Sequence, residues 1–235
     1  VYVSGRNRFA LGIGSGNLSS PVKNSLLPIK NVVDIADGNG DSFIIATTNG
    51  SAYVTGNNRQ GELGLGHRNE VTSYTKVSSL TGVTNVWAFN QSHCVFKTNT
   101  GYFASGANSG VMGNGNTNWS DIPVKMGTSL TSPTISSYSF TRIGTFYIGS
   151  NSKLYSSGDN EYGYLGVVAG GNRIKPTPVE ATLINSLGTT KSVDYINGGH
   201  YFSLTNNRTY YIGSDSRYSP TLVNGLPASS ITRYF

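Results

Sequence analysis

The chain offers few side chains that could do chemistry: three histidines and one cysteine among 235 residues. His93 and Cys94 adjoin, and an imidazole beside a thiol is the pair from which a cysteine nucleophile is built. Here the pair lies in a segment, Cys94 to Thr98, that reads as a strand, and adjacent strand residues point to opposite faces. The single Cys94 also excludes an internal disulfide and any site needing several thiolates. His93 and His200 take corresponding positions ahead of a strand, filled elsewhere by Asp41 and Thr145. They read as turn residues bonded to backbone rather than as convergent metal ligands. His67, beside Arg68 in a loop, reads as solvated. Asp37-Gly-Asn-Gly-Asp41 opens like a calcium loop, but Ser42 and Thr48 stand where glycine and glutamate are required. Gly12-Ile-Gly14-Ser-Gly16 and Gly64-Leu-Gly66 are not followed by the helix whose amides would hold a phosphate. No Gly-x-Ser-x-Gly elbow stands at a strand-to-helix junction. The expectation is no catalytic residue, no metal site and no cofactor.

What the sequence does carry is a repeat. Gly5, Gly56, Gly106, Gly158 and Gly213 are anchors spaced by 51, 50, 52 and 55 residues, each preceded at three residues by an aromatic: Tyr2, Tyr53, Phe103, Tyr155 and Tyr210. A second pair follows four of them: Leu11-Gly12, Leu63-Gly64, Met112-Gly113 and Leu165-Gly166. A period near 50 over the whole chain is the mark of a propeller or a solenoid. Short strands recur in order: Val32 to Ala36, Ser42 to Ala46, then Ala52 to Thr55 after a hairpin signal at Asn49-Gly50. The order returns as Thr84 to Phe89, Cys94 to Thr98 and Tyr102 to Ser105. It returns again as Ser192 to Ile196, Tyr201 to Thr205 and Thr209 to Ile212. In the third repeat the first strand falls in the hydroxyl-rich segment Pro133 to Phe140, and Thr141 to Ser150 supplies the second. No window shows a helical period. Four strands per 50 residues match a propeller blade. The Leu of Leu-Gly and the Val of Pro-Val are expected to fill the core between blades.

At these residues the chain resembles the RCC1 repeat family, named for the regulator of chromosome condensation. The loop after the anchor reads Asn58-Arg-Gln-Gly-Glu-Leu-Gly64 and Asn160-Glu-Tyr-Gly-Tyr-Leu-Gly166, similar to that family's loop closing on Gly-Gln-Leu-Gly. The closing segment reads Pro21-Val22, Pro123-Val124, Pro176-Thr-Pro-Val179 and Pro220-Thr-Leu-Val223. The resemblance implies an all-β fold over residues 1–235, a single RCC1-like β-propeller of about five blades with up to four antiparallel strands, or an excerpt of a seven-bladed ring. The family's usual tryptophan before the anchor glycine is here Ser4, Thr55, Ser105, Ser157 or Ile212. The end segment Ser230 to Phe235 sits where a first strand sat, and Val1 enters at a third, so the two ends are expected to share a blade.

Lys and Arg outnumber Asp and Glu by 17 to 11, a net charge of +6, without any basic run. Nucleic acid is therefore not the expected partner. No apolar run reaches the length of a membrane span. Ser, Thr and Asn make up about a third of the chain, with 15 tyrosines. That polar, lightly charged surface suits an extracellular or virion protein, such as a phage tail or capsid appendage. Function is expected in the loops after the anchors, since loops on a rigid scaffold carry recognition. The candidates are Arg6, Arg8, Asn58, Arg59, Gln60, Glu161, Tyr162, Arg217 and Tyr218, because Arg and Tyr dominate binding hot spots. The expected activity is non-enzymatic recognition of a protein or glycan, or of other subunits of one assembly. The resemblance also implies two alternatives: a nuclear or cytoplasmic exchange factor for a small GTPase that contacts chromatin, and a secreted enzyme inhibitor.

Overall fold

The computed structural model describes residues 2–5, 11–13, 16–23, 31–38, 41–89, 92–168, 171–196, 198–213 and 218–224. Strands β1 (Tyr2–Gly5) and β2 (Leu18–Lys23) form a two-stranded antiparallel sheet. Four four-stranded antiparallel sheets follow. The first holds β3 (Val32–Asp37), β4 (Ser42–Thr47), β5 (Ala52–Gly56) and β6 (Val71–Lys76), paired in chain order. The second holds β7 (Val83–Phe89), β8 (His93–Thr98), β9 (Gly101–Gly106) and β10 (Ser120–Lys125), and the third β11 (Ile135–Phe140), β12 (Gly144–Gly149), β13 (Leu154–Asp159) and β14 (Ile174–Glu180). The fourth holds β15 (Thr190–Ile196), β16 (Gly199–Leu204), β17 (Thr209–Gly213) and β18 (Thr221–Leu222). One helical turn, α1 (Thr182–Asn185), precedes β15. It buries only Ile184 and is too short to leave a helical period in the sequence.

The chain divides into two compact units, Val1–Asn108 with Asn118–Met126, and Ser109–Thr117 with Gly127–Phe235. The core of the first unit packs Ile44, Val54, Leu63, Val83, Val86, Cys94 and Phe96. That of the second packs Phe146, Leu154, Leu165, Ile184, Val193, Phe202 and Leu204. Leu63 and Leu165, from the repeated Leu-Gly pairs, are fully buried, as the period requires. The valine of Pro-Val behaves differently. The closing segments form or adjoin the edge strands of their sheets, and Val22 is exposed while Val124, Val179 and Val223 are half-buried. An edge strand packs by one neighbour only, so its apolar residues have less to be buried against.

The anchor glycines close each sheet. Gly56, Gly106 and Gly158 pair with Ser42, His93 and Gly144 at the open ends of their hairpins, with φ of +110°, +109° and +124°. That backbone turns the next amide onto the partner strand: Asn57, Ala107 and Asp159 donate to the carbonyls of Asp41, Ser92 and Ile143 at 2.6, 2.8 and 2.9 Å. A Cβ on any of the three glycines would collide with that same carbonyl oxygen.

The hairpins at the other end set the register. Three of them close on a third loop residue with positive φ, Gly50 (+76°), Ser152 (+61°) or Asn207 (+64°), after the bonds Thr47 N to Ser51 O, Gly149 N to Lys153 O and Leu204 N to Arg208 O. Between β8 and β9, Thr98 pairs directly with Gly101, leaving Asn99 and Thr100 as the turn. The shorter turn shifts β8 by one residue, so Gly106 meets His93 where Gly213 meets Gly199. His93 and His200 therefore do not correspond, contrary to the sequence expectation. The counterpart of His200 is Cys94. Both histidines lie within strands and are fully buried, not in the turns ahead of them.

Candidate functional site

Two of the loops after the anchors, those at Asn58 and Asn160, are built by the same internal bonds. In the first unit the Asn58 side chain accepts from Leu63 N at 2.9 Å and donates to His67 O at 2.7 Å. In the second, Asn160 accepts from Leu165 N at 3.1 Å and donates to Val167 O at 3.4 Å. Asn58, expected among the contact residues, is thus corrected to a buried clasp with both ends of its amide used. The loop then fastens to the strands it covers. Ser105 Oγ donates to Glu62 O at 2.7 Å in the first unit, and Thr145 Oγ1 to Val111 O at 2.7 Å in the second.

Glu62 is the unusual member of this scaffold. Its carboxylate is buried, with Oε2 accepting from Gln60 N at 2.8 Å and Oε1 left with no hydrogen-bond partner. Burial pushes its pKa above the usual carboxylate range, and the charge helps push the Cys94 thiol well above its own. A buried acceptor without a donor costs free energy, more so when charged. Glu62→Gln removes the charge and adds a donor, so thermal denaturation at pH 7 is expected to show a Tm raised by a few degrees.

The two buried histidines are held by hydroxyls. His93 Nδ1 lies 3.2 Å from Ser92 Oγ, and the ring stacks on Phe89 at 4.7 Å. His200 Nε2 lies 3.1 Å from Thr141 Oγ1, with Phe146 edge-on at 4.9 Å. Burial lowers their pKa values to about 4 and about 3. Cys94 packs in the apolar core of the first unit, where burial and the Glu62 charge keep its thiol protonated. Among the described residues no group of three or more His, Cys, Asp or Glu side chains could hold a metal ion. No helix there is long and apolar enough to cross a membrane.

The exposed parts of the loops differ between the units. In the first, Arg59 pairs with Glu70 at 3.1 Å with its side chain 77 % exposed, and Gln60 is half-buried beside it. Arg68 lies over the Trp119 ring at 5.6 Å from its centre, and Trp119 is 50 % exposed next to the exposed Ile122. Trp119 and Arg68 were not among the sequence-based candidates. The available signal was that Trp119 is one of only two tryptophans and ends the loop just ahead of β10. In the second unit Arg173 pairs with Asp159 and, at 2.8 Å, with Glu161. Tyr162 is half-buried beside them. Tyr218 clasps this loop: its hydroxyl donates to Asn160 O and Glu161 O at 3.0 and 3.1 Å, and its Cα fits against Gly163, where a Cβ would lie 2.8 Å away. Arg6, Arg8, Arg217 and the segment Ser230 to Phe235 lie outside the described residues.

A repeat of four-stranded antiparallel sheets whose hairpins end on the anchor glycines is the RCC1-like β-propeller fold, and solved structures agree. Human WBSCR16 is similar over 95 % of this chain and 61 % of its own, with a TM-score of 0.75 and 19 % identity. Prp20p from Saccharomyces cerevisiae, in a structure described with its binding properties to Gsp1p and histones, matches 94 % of this chain and 56 % of its own at TM-score 0.72 and 18 % identity. Yeast RCC1 (Prp20) bound to Kap60 matches 89 % and 52 %, at 0.70 and 19 %. The chain spans between half and two thirds of the length of these proteins. No family model matches the sequence.

Proposed function

We propose that the chain is a non-enzymatic recognition module that binds a protein or glycan through the loops after its anchor glycines. The observation that carries this reading is the half-exposed Trp119 with Arg68 over its ring and Ile122 exposed alongside. Trp and Arg are the residue types that most often anchor interfaces, and an exposed indole held in place by a guanidinium is pre-organised for contact. Arg59 and Gln60 border the same loop. The polar, lightly charged composition supports a place outside the cell or on a virion, with other subunits of an assembly as further partners.

Replacing Trp119 and Arg68 together by alanine is expected to weaken partner capture by at least tenfold while leaving the thermal midpoint within a few degrees, because both side chains are largely exposed. Capture that is unchanged in this variant would sink the assignment of the site. A second reading draws on the likeness to Prp20p, a protein described as binding Gsp1p and histones. It makes this chain part of an exchange factor for a small GTPase, and accelerated nucleotide release from such a GTPase would favour it.

A further inference from the structure

The second unit carries a cluster whose chemistry is opposite to the basic balance of the chain. Tyr162 and Tyr164, on either side of Gly163, set their rings 5.4 Å apart at 75°. Tyr164 stands edge-on to His200 at 5.9 Å and 79°, and Tyr195 of β15 approaches the same imidazole at 5.2 Å and 57°. Two phenol rings, Tyr164 and Tyr195, thus meet one buried histidine and Tyr162 stands against Tyr164, with Tyr195 40 % exposed and the other two half-buried. Asp159 and Glu161 lie within electrostatic reach of Tyr164. Against these two carboxylates stands one guanidinium, Arg173, which leaves the group with one negative charge in a chain of net +6.

Steeply inclined aromatic rings next to carboxylates favour one kind of ligand. Ring faces carry negative potential, so a cation over an exposed face is attracted by the ring and by the carboxylates together. An anion is repelled by both. A sugar ring stacks on a flat exposed platform, whereas these rings meet edge to face. The chain's own Arg173 shows the preference, since its guanidinium is already drawn to Asp159 and Glu161 beside Tyr162.

We infer that Tyr162, Tyr164 and Tyr195, with Asp159 and Glu161, form a receptor for a cationic side chain, the lysine or arginine of a basic segment in a protein partner. This rests on the recognition function proposed above and names the chemistry of its ligand.

The test titrates the full chain, with tyrosine rings labelled for NMR, with a short, otherwise uncharged peptide bearing one central arginine, and separately with the same peptide bearing citrulline, its neutral isostere. The expected result is a saturable shift of the Tyr162, Tyr164 and Tyr195 ring signals by the arginine peptide. Citrulline should bind at least fivefold more weakly, and Tyr195→Ala or Glu161→Gln should weaken arginine binding by about three- to tenfold. Equal binding of citrulline, no movement of the three rings, or full affinity in Tyr195→Ala would overturn the inference. Those failures are separable from failure of the recognition reading, which is decided by capture through Trp119 and Arg68 in the other unit.

Discussion

Between pH 6.5 and pH 4 two buried histidines are expected to withdraw about 6 kcal/mol of folding stability, roughly 3 kcal/mol each. His93 and His200 titrate at about 4 and about 3 in the folded chain because burial disfavours the imidazolium. In the unfolded chain both return to about 6.5. Each therefore contributes its full stability above pH 6.5. As the pH falls below that value the unfolded state gains protons that the folded state refuses, and the contribution is lost on the way to the folded pKa. A loss of this size is a large fraction of the 5–15 kcal/mol typical of a domain, so acid unfolding should set in above pH 4. Glu62 acts with the opposite sign. Its raised pKa means that the folded state favours the neutral acid, so its penalty is present at pH 7 and relieved as the pH drops. Urea unfolding followed across this window should show a falling midpoint, a shallower fall in His200→Gln, and a steeper one in Glu62→Gln. A midpoint independent of pH would show that the imidazoles are not buried neutral.

Gly106→Ala is expected to cost roughly 3–5 kcal/mol, among the most damaging single methyl groups the chain could receive. Two effects add. The residue holds φ at +109°, which an alanine adopts only at a cost, and the new Cβ would meet the Ser92 carbonyl oxygen and, at 2.8 Å, the His93 Cα. Both obstacles are backbone and cannot swing away. Gly115→Ala is the comparison. Its φ is also positive, at +88°, but the added Cβ would find only the Ser129 Cβ, at 3.7 Å. It should cost about 1 kcal/mol, the backbone share alone. Equilibrium unfolding of the two variants separates conformational strain from collision. Equal losses would mean that the anchor glycines serve backbone freedom only.

These glycines explain why so much of the fold was legible. A fixed backbone geometry, closing three of the sheets with an amide on the carbonyl just ahead of the partner strand, demands glycine at a fixed period, and the period is visible without any structure. The clasped loop is legible for the same reason, through the Leu of Leu-Gly that must reach the core. What the sequence hid was register. A hairpin one residue shorter between β8 and β9 moves His93 out of the position that His200 holds, yet both histidines lie thirteen residues before their anchors, at Gly106 and Gly213. Asn58 misled for a related reason: an amide in a polar loop looks like a contact residue, and only the bonds to Leu63 and His67 show it turned inward. The surfaces proposed for binding were the least legible. Trp119 with Arg68, and Tyr195 with Tyr162 and Tyr164, are far apart in the chain and come together only where one sheet and its loops pack on the next.

The recognition reading is tested most directly by comparing the intact chain with the Trp119→Ala, Arg68→Ala double variant as bait for envelope and nuclear extracts. Saturable capture of one partner by the intact chain, lost at least tenfold in the variant at unchanged Tm, is the predicted result. The same partner captured equally by both chains would contradict the account, and a small GTPase captured equally by both would move it to the exchange-factor reading.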